Sequence, residues 1–223
     1  LWFKCSFNFL NDLKHLQKLC LVDCEFIECQ PIFKGANNQL MHLDLSGCHL
    51  KIDDETMLDD LKCLKYLNLN ENMMTSSILP NLFKSLQQLE TLKLCLFEVE
   101  QNMQLNQRSL IFLSNLNELH LANIQLDDNS STFFSHMRSL QKLSIEYSKI
   151  TPKAFESASN LRELRLTNVS GIKIDKSLFA KHPHLVLFDT SESEIYEEAA
   201  RRGSVVYEVA GDAFHELKSL RTI

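Results

Sequence analysis

The sequence predicts an α/β-type solenoid, with a curved parallel β-sheet on the concave side and a mostly irregular or short-helical convex side. Three observations predict it. A phrase of leucines recurs along nearly the whole chain, a second apolar pair recurs at a fixed distance before it, and no copy holds enough apolar residues to close a core alone. Alternation within the phrase has the period of two of a strand. Self-similarity at a near-fixed period marks a stack in which each turn covers the next.

The phrase is LxxLxL. Its leucines are Leu16/Leu19/Leu21, Leu40/Leu43/Leu45, Leu64/Leu67/Leu69, Leu89/Leu92/Leu94 and Leu116/Leu119/Leu121. Variants follow at Leu140/Leu143/Ile145, Leu161/Leu164/Leu166 and Leu185/Phe188/Thr190, and a ninth copy begins at Leu220 and Ile223. Successive starts lie 24, 24, 25, 27, 24, 21, 24 and 35 residues apart. Six and three residues before most starts sit a Phe or Leu and a second apolar residue, as in Phe83/Leu86, Phe134/Met137, Phe155/Ala158 and Phe214/Leu217. These form a second buried layer under the convex side. A further inward position past the third leucine reads Cys24, Cys48, Asn72, Phe97, Ile124, Ser148, Val169 and Ser193. Cys, Ser and Asn suit a ladder of bonds to neighbouring backbone. Phe97, Ile124 and Val169 do not, so their repeats must satisfy the turn through water or local bonds.

This is the pattern of leucine-rich repeats. Ser177-Leu178-Phe179 and the run Ala213, Phe214, Leu217, Leu220 and Ile223 resemble the typical extracellular class, AFxxLxxLxxL, which includes Toll-like receptor ectodomains. The resemblance covers residues 10–223 and implies a short, non-helical convex side and ligand recognition outside the cell. The disulfide caps of that class are absent, and the proline of its convex loop is mostly missing. Leu43-Asp44-Leu45-Ser46-Gly47-Cys48 is similar instead to the cysteine-containing repeats of F-box substrate receptors, cytosolic adaptors with a convex helix. Residues 54–62 suit such a short helical return.

Residues 1–223 read as a single solenoid fragment of about eight full repeats without complete caps. Leu1 is not an initiator Met, and the native N-terminus is expected upstream. An uncapped stack is expected to self-associate through its ends. Lys+Arg 23 against Asp+Glu 29 leaves a net charge of -6, which disfavours general nucleic-acid binding because that needs a basic stripe. No apolar run approaches the roughly 20 residues of a membrane span. The seven cysteines, all within 5–95, are odd in number and form no paired CxxC knuckles, so neither a disulfide framework nor a zinc site is expected. Cys24 and Cys48 belong inside; Cys20 and Cys95 belong on the outward side of the strand.

No phosphate loop, GxSxG or HExxH occurs, and nothing forms a catalytic constellation. His182 and His184 fall in a variable stretch. His42, Asp44, Cys48 and His49 alternate in direction rather than converge. No enzyme, metal or other cofactor is expected. Insertions within 100–112 and 191–213 read as surface loops, the second with Glu197–Arg201 and Glu198–Arg202 pairs and Gly203 placed to end a short helix. Asn129 and Asn168 open glycosylation sequons, about as many as chance provides.

What remains is a surface. Side chains alternate along a strand, so residues between inward leucines face solvent on the concave side. The middle column is Cys20, Asp44, Asn68, Lys93, His120, Ser144, Arg165 and Asp189. The column before it is Lys18, His42, Tyr66, Thr91, Glu118, Lys142, Glu163 and Leu187; the column after it includes Val22, Ser46, Asn70, Glu146, Thr167 and Ser191. Tyr66 and Arg165 are the natural hot spots, with Tyr147 at the rim. Lys93, His120, Lys142 and Arg165 make the face locally basic. The candidate binding residues are Tyr66, Asn68, Lys93, His120, Lys142, Ser144, Glu146 and Arg165. The expected partner is a protein ligand or co-receptor of acidic or mixed surface, met alone or as a homo- or heterodimer, and neither a nucleic acid nor a membrane. The expected setting is a cell-surface or secreted ectodomain in innate immunity, signalling or adhesion. The alternative is a cytosolic adaptor such as a ubiquitin-ligase substrate receptor.

Overall fold

A computed structural model describes residues 2–3, 12–26, 33, 39–74, 79–95, 103–105, 108–126, 131–190 and 213. In chain order the strands are β1 (Trp2–Phe3), β2 (Lys18–Cys20), β3 (Glu25–Phe26), β4 (His42–Asp44), β5 (Lys51–Ile52), β6 (Tyr66–Asn68), β7 (Met73–Met74), β8 (Thr91–Cys95), β9 (Met103–Gln104), β10 (Glu118–Ala122), β11 (Ile124–Leu126), β12 (Lys142–Glu146), β13 (Lys149–Ile150), β14 (Glu163–Thr167) and β15 (Leu187–Asp189). Helix among the described residues is confined to α1 (Leu79–Leu82), a 3-10 turn at Pro152–Phe155, and α2 (Lys176–Phe179).

The first eight leucine phrases each supply one strand to a single parallel sheet, in the order β2-β4-β6-β8-β10-β12-β14-β15. The register is unbroken: Leu19, Leu43, Leu67, Leu92, Leu119, Leu143, Leu164 and Phe188 lie side by side. A repeated bond fixes this register at the strand entrance. The carbonyl of the residue after the first leucine accepts two N–H groups from the next repeat. Lys65 O, for example, takes Glu90 N at 2.8 Å and Thr91 N at 2.9 Å, and Gln17, Met41, Glu90, Asn117, Gln141 and Arg162 do the same.

The convex return is made of turns. Leu86 N donates to Phe83 O and Leu89 N to Leu86 O, and the same pair of bonds recurs at Leu58/Leu61/Leu64, Leu110/Leu113/Leu116, Phe134/Met137/Leu140, Phe155/Ala158/Leu161 and Phe179/His182/Leu185. Each bond spans three residues, which turns the inward pair over the leucines without a long helix. The leading Phe or Leu of every pair is buried, and Phe134 stacks on Phe155 with centroids 6.3 Å apart. Residues 54–62, expected as a helical return, are consecutive turns instead. Bonds such as Met57 N to Asp54 O and Asp59 N to Thr56 O close them, and the Asp54 carboxylate binds Thr56 N and Thr56 Oγ1, drawing the chain into a turn.

The exit from each strand is also repeated. The residue two past the third leucine is left-handed at Asp23, Gly47, Glu71, Asn123, Tyr147 and Asn168, with φ between 47° and 68°. Glycine and asparagine tolerate this region; glutamate and tyrosine are strained there. At Gly47 an added Cβ would also run into the Asp23 carboxylate.

The inward ladder forms where its residues are polar. Cys48 Sγ donates to Leu21 O at 2.8 Å. Asn72 is fully buried; its Nδ2 donates to Leu45 O at 2.8 Å, Leu69 O at 3.1 Å and Asn70 O at 3.1 Å, and its Oδ1 accepts from Leu50 N at 2.8 Å. At Ile124, where water or local bonds were expected, the neighbouring repeat intervenes: Ile124 N donates to Ser148 Oγ at 3.2 Å. The polar ladder residue of one repeat thus covers the apolar one before it. Phe97, Ser193, the pairs Glu197–Arg201 and Glu198–Arg202 with Gly203, and the repeat begun at Leu220 lie outside the described residues.

Candidate functional site

The three outward columns stand in register across the concave sheet. Lys18, His42, Tyr66, Thr91, Glu118, Lys142, Glu163 and Leu187 are mutual neighbours, as are Cys20, Asp44, Asn68, Lys93, His120, Ser144, Arg165 and Asp189. Adjacent side chains in a column are one strand spacing apart, roughly 4.8 Å, so they interact.

An aromatic step occupies the N-terminal half of the face. The His42 and Tyr66 rings stack with centroids 4.0 Å apart and planes 2° from parallel. Lys93 Nζ lies 5.9 Å from the Tyr66 ring centre, within cation–π reach. Burial, reinforced by the Lys18 charge and opposed by Asp44, lowers the His42 pKa. A neutral imidazole therefore lies on the phenol at neutral pH. Burial, then the Asp44 charge, raises the Tyr66 pKa, so the phenol stays protonated.

The C-terminal half is charged, but its expected basic character is corrected by the columns themselves. Lys142 Nζ lies 3.2 Å from Glu163 Oε1, Arg165 Nη1 lies 3.5 Å from Asp189 Oδ2, and His120 Nε2 lies 2.6 Å from Glu118 Oε1. Burial works to raise the Glu118 carboxyl, yet the His120 hydrogen bond and the charges of His120, Lys142 and Lys93 hold it below its ordinary value. Lys142 and Arg165 each face an acid on a neighbouring strand, and His120 faces Glu118 on its own strand. Lys93 instead lies over an aromatic ring.

The third column closes over itself in the middle of the sheet. Cys95, Ala122, Glu146 and Thr167 are paired in register and all buried. Cys95, expected to be an exposed thiol, is 4% exposed, and burial followed by the Glu146 charge pushes its pKa far up. Val22, in the same column, stays exposed at 49%. Asn68 and Ser144 are each only 7% exposed and Glu146 9%, which departs from the expectation that all three face solvent. Asn68 explains itself: its Nδ2 donates to Asp44 Oδ2 at 3.2 Å and its Oδ1 accepts from Asn70 N at 3.0 Å, so it holds the strand exit. Glu146 Oε2 is enclosed without a hydrogen-bond partner.

Cys20 is an exposed thiol, and Cys24 and Cys48 are buried thiols, as their positions imply. Burial pushes the Cys48 thiol up to about 11. His182 is buried, not in an exposed turn. It stands three residues before Leu185, where other repeats carry Leu, Met or Ala, and that offset is the signal that locates it. Its Nδ1 bonds Ala158 O at 3.1 Å while Nε2 has no partner. Among the described residues no three His, Cys, Asp or Glu side chains gather as a metal site, and no helix is long and apolar enough to cross a membrane. Asn168 is half-buried at a left-handed strand exit, and Asn129 lies outside the described residues.

No protein-family model and no curated protein matches the chain. Solved structures do. An internalin, InlF, from Listeria monocytogenes aligns over 96% of this chain and 61% of its own, with TM-score 0.66 and 18% identity. Internalin C2 from the same organism aligns over 83% and 76%, with TM-score 0.61 and 23% identity. The Drosophila Toll–Spatzle complex aligns over 86% of this chain and 22% of that one, with TM-score 0.52 and 17% identity. The chain thus spans under two thirds of the InlF structure and under a quarter of the Toll one. Stacked parallel strands, turn-built returns and these likenesses identify the fold as a leucine-rich-repeat solenoid resembling Toll-like receptor ectodomains.

Proposed function

We propose that this solenoid is a protein-binding module, an ectodomain that recognises a ligand or co-receptor through its concave face. The observation that carries the reading is the aromatic step: His42, Tyr66 and Lys93, on three successive strands, present a flat ring pair with a cation at its edge. Aromatic and cationic side chains dominate binding energy at interfaces. The self-paired acids and bases from Glu118 to Asp189 supply a register for a partner of mixed charge rather than net attraction. A role in innate immunity or adhesion is the setting the fold suggests, and no catalytic role is proposed.

The test is binding of the intact chain, displayed as a multimer, to an array of cell-surface and secreted proteins. Tyr66→Ala and Lys93→Glu are expected to weaken the selected partner by tenfold or more, with unchanged circular dichroism. Binding that survives both changes but disappears on deleting 100–110 or 192–204 puts recognition on the loops. One observation favours a cytosolic adaptor as the second reading. The five described cysteines are free thiols, and Cys48 needs its S–H for the ladder bond to Leu21 O. Expression behind a secretion signal, with and without glycosidase, separates the two. Secreted material that shifts on deglycosylation supports the ectodomain; retention with misoxidised thiols supports the adaptor.

A further inference from the structure

The strand entrances form a second surface beside the concave columns, with Lys65, Glu90 and Asn117 directly preceding Tyr66, Thr91 and Glu118. Two positions of each repeat line it: the residue before the first leucine and the residue after it. Across four successive repeats these are Lys65, Gln88 and Glu90, Asn115 and Asn117, and Ser139, and together they line an open groove of about 480 Å³. Three strand spacings set its length at roughly 14 Å.

The groove is held in shape by its own bonds. Lys65 Nζ lies 2.8 Å from Glu90 Oε1. Asn115 Nδ2 donates to Gln87 O at 2.9 Å and Asn117 Nδ2 to Ser139 O at 3.4 Å. Each amide is thereby turned so that its carbonyl oxygen remains as an acceptor. The backbone offers less: Lys65 O, Glu90 O and Asn117 O each already accept two N–H groups from the next repeat. Recognition in this groove must come from side chains.

The chemistry of the lining selects the ligand class. No apolar or aromatic side chain lines the groove, so a protein hot spot has nothing to bury against. Its one cation is matched by its one carboxylate, so a phosphate backbone gains no net attraction. What the groove does present is a row of mixed donors and acceptors: two Asn amides, a Gln amide, a Ser hydroxyl and an ion pair. Such groups can exchange their hydrogen bonds to water for bonds to the vicinal hydroxyls of a sugar, which both donate and accept. We infer that this flank groove is a carbohydrate-binding site for a short neutral oligosaccharide lying along the stack. It lies beside the concave face and does not depend on the protein-binding reading.

Side-chain amide resonances of Gln88, Asn115 and Asn117 report directly on occupancy. The intact, isotope-labelled chain is titrated into the millimolar range with maltotetraose, cellotetraose and mannotetraose. A parallel arm uses a high-mannose glycan, free and attached to a glycoprotein, to separate a soluble sugar from a partner's glycan. Saturable shifts of these three amides with at least one sugar are expected, weakened about tenfold or more by Asn115→Ala or Gln88→Ala. These residues are exposed, so the fold should tolerate the changes. Tyr66→Ala should leave the titration unchanged. No saturable shift with any sugar overturns the inference. So do shifts confined to the concave columns, or shifts that survive both alanine variants.

Discussion

The turn after the concave strand is built in two ways along the stack. In the second and third repeats it is built by side chains: Cys48 reaches back to Leu21 O, and Asn72 ties Leu45 O to Leu50 N. In the fifth to seventh repeats the ladder residues Ile124 and Val169 are β-branched, and the backbone does more of the work. There β11 begins at Ile124 itself and lies between β9 and β13, Lys149 bridges to Ser170, and Ser148 contributes a side-chain bond to Ile124 N, whereas, among the described residues, only the short β5 and β7 pair beyond the ladder residues of the second and third repeats. Both regions share the left-handed exit residue. The backbone must be satisfied in either case, and a polar inward side chain or an adjacent strand serves equally. A β-branched residue, poor at the first and good in a strand, goes with the second.

This contrast is easiest to break at Asn72. Asn72→Leu keeps the branched shape of the side chain but strands Leu50 N and Leu45 O in the core, and is expected to cost about 2–4 kcal/mol, read as a fall in denaturation midpoint. A loss under 1 kcal/mol would mean the ladder is incidental. Thiol chemistry sharpens the same region. With its pKa pushed to about 11, Cys48 should alkylate at least about a hundredfold more slowly than exposed Cys20 in the native state, and Cys95 should resist as well. Equal rates would remove Cys48 from the ladder.

In the second region the expected effects are smaller. Ser148→Ala deprives Ile124 N of its acceptor, and should cost about 1–2 kcal/mol, less than Asn72→Leu because the Asn72 amide makes more hydrogen bonds than the Ser148 hydroxyl. Acid should act through His182. Burial, opposed by the bond to Ala158 O, lowers its folded pKa below the ordinary 6.5. Below pH 6.5 the unfolded chain binds the proton first, so the stabilising effect is complete above that value and is lost as pH falls toward the folded pKa. His42 and His136, also lowered, act in the same direction. Melting temperature should drop by a few degrees between pH 7.5 and 5.5, and His182→Leu should reduce the drop. An unchanged pH slope in that variant would assign the effect to the other two. The smallest effect tests what both regions share. Glu71→Gly relieves the left-handed exit at φ 61° and should stabilise by about 0.5–1 kcal/mol; destabilisation would mean the Glu71 side chain contributes more than its backbone costs.

Much of this architecture was legible from leucine spacing. The inward leucines, the Phe83/Leu86-type pairs and the polar ladder residues follow from period and offset, because a strand's direction alternation and a stack's repetition leave no other placement. The three outward columns were legible as columns for the same reason. Their chemistry was not. Cys95 and Val22 hold the same place in the phrase, yet one is buried and the other exposed. Lys142, His120 and Arg165 read as a basic patch until Glu163 and Asp189 on neighbouring strands, and Glu118 on the strand of His120, are counted. Repeat spacing and strand alternation set which residues are neighbours across the stack and which way each one faces. Packing of the stacked repeats sets which outward residues meet solvent, which cations are matched across strands, and where six polar side chains from four repeats line a groove. Direction along a strand is a local property of alternating backbone geometry; exposure and the ion pairs of Lys142 and Arg165 depend on neighbours one repeat away, which the local pattern does not carry.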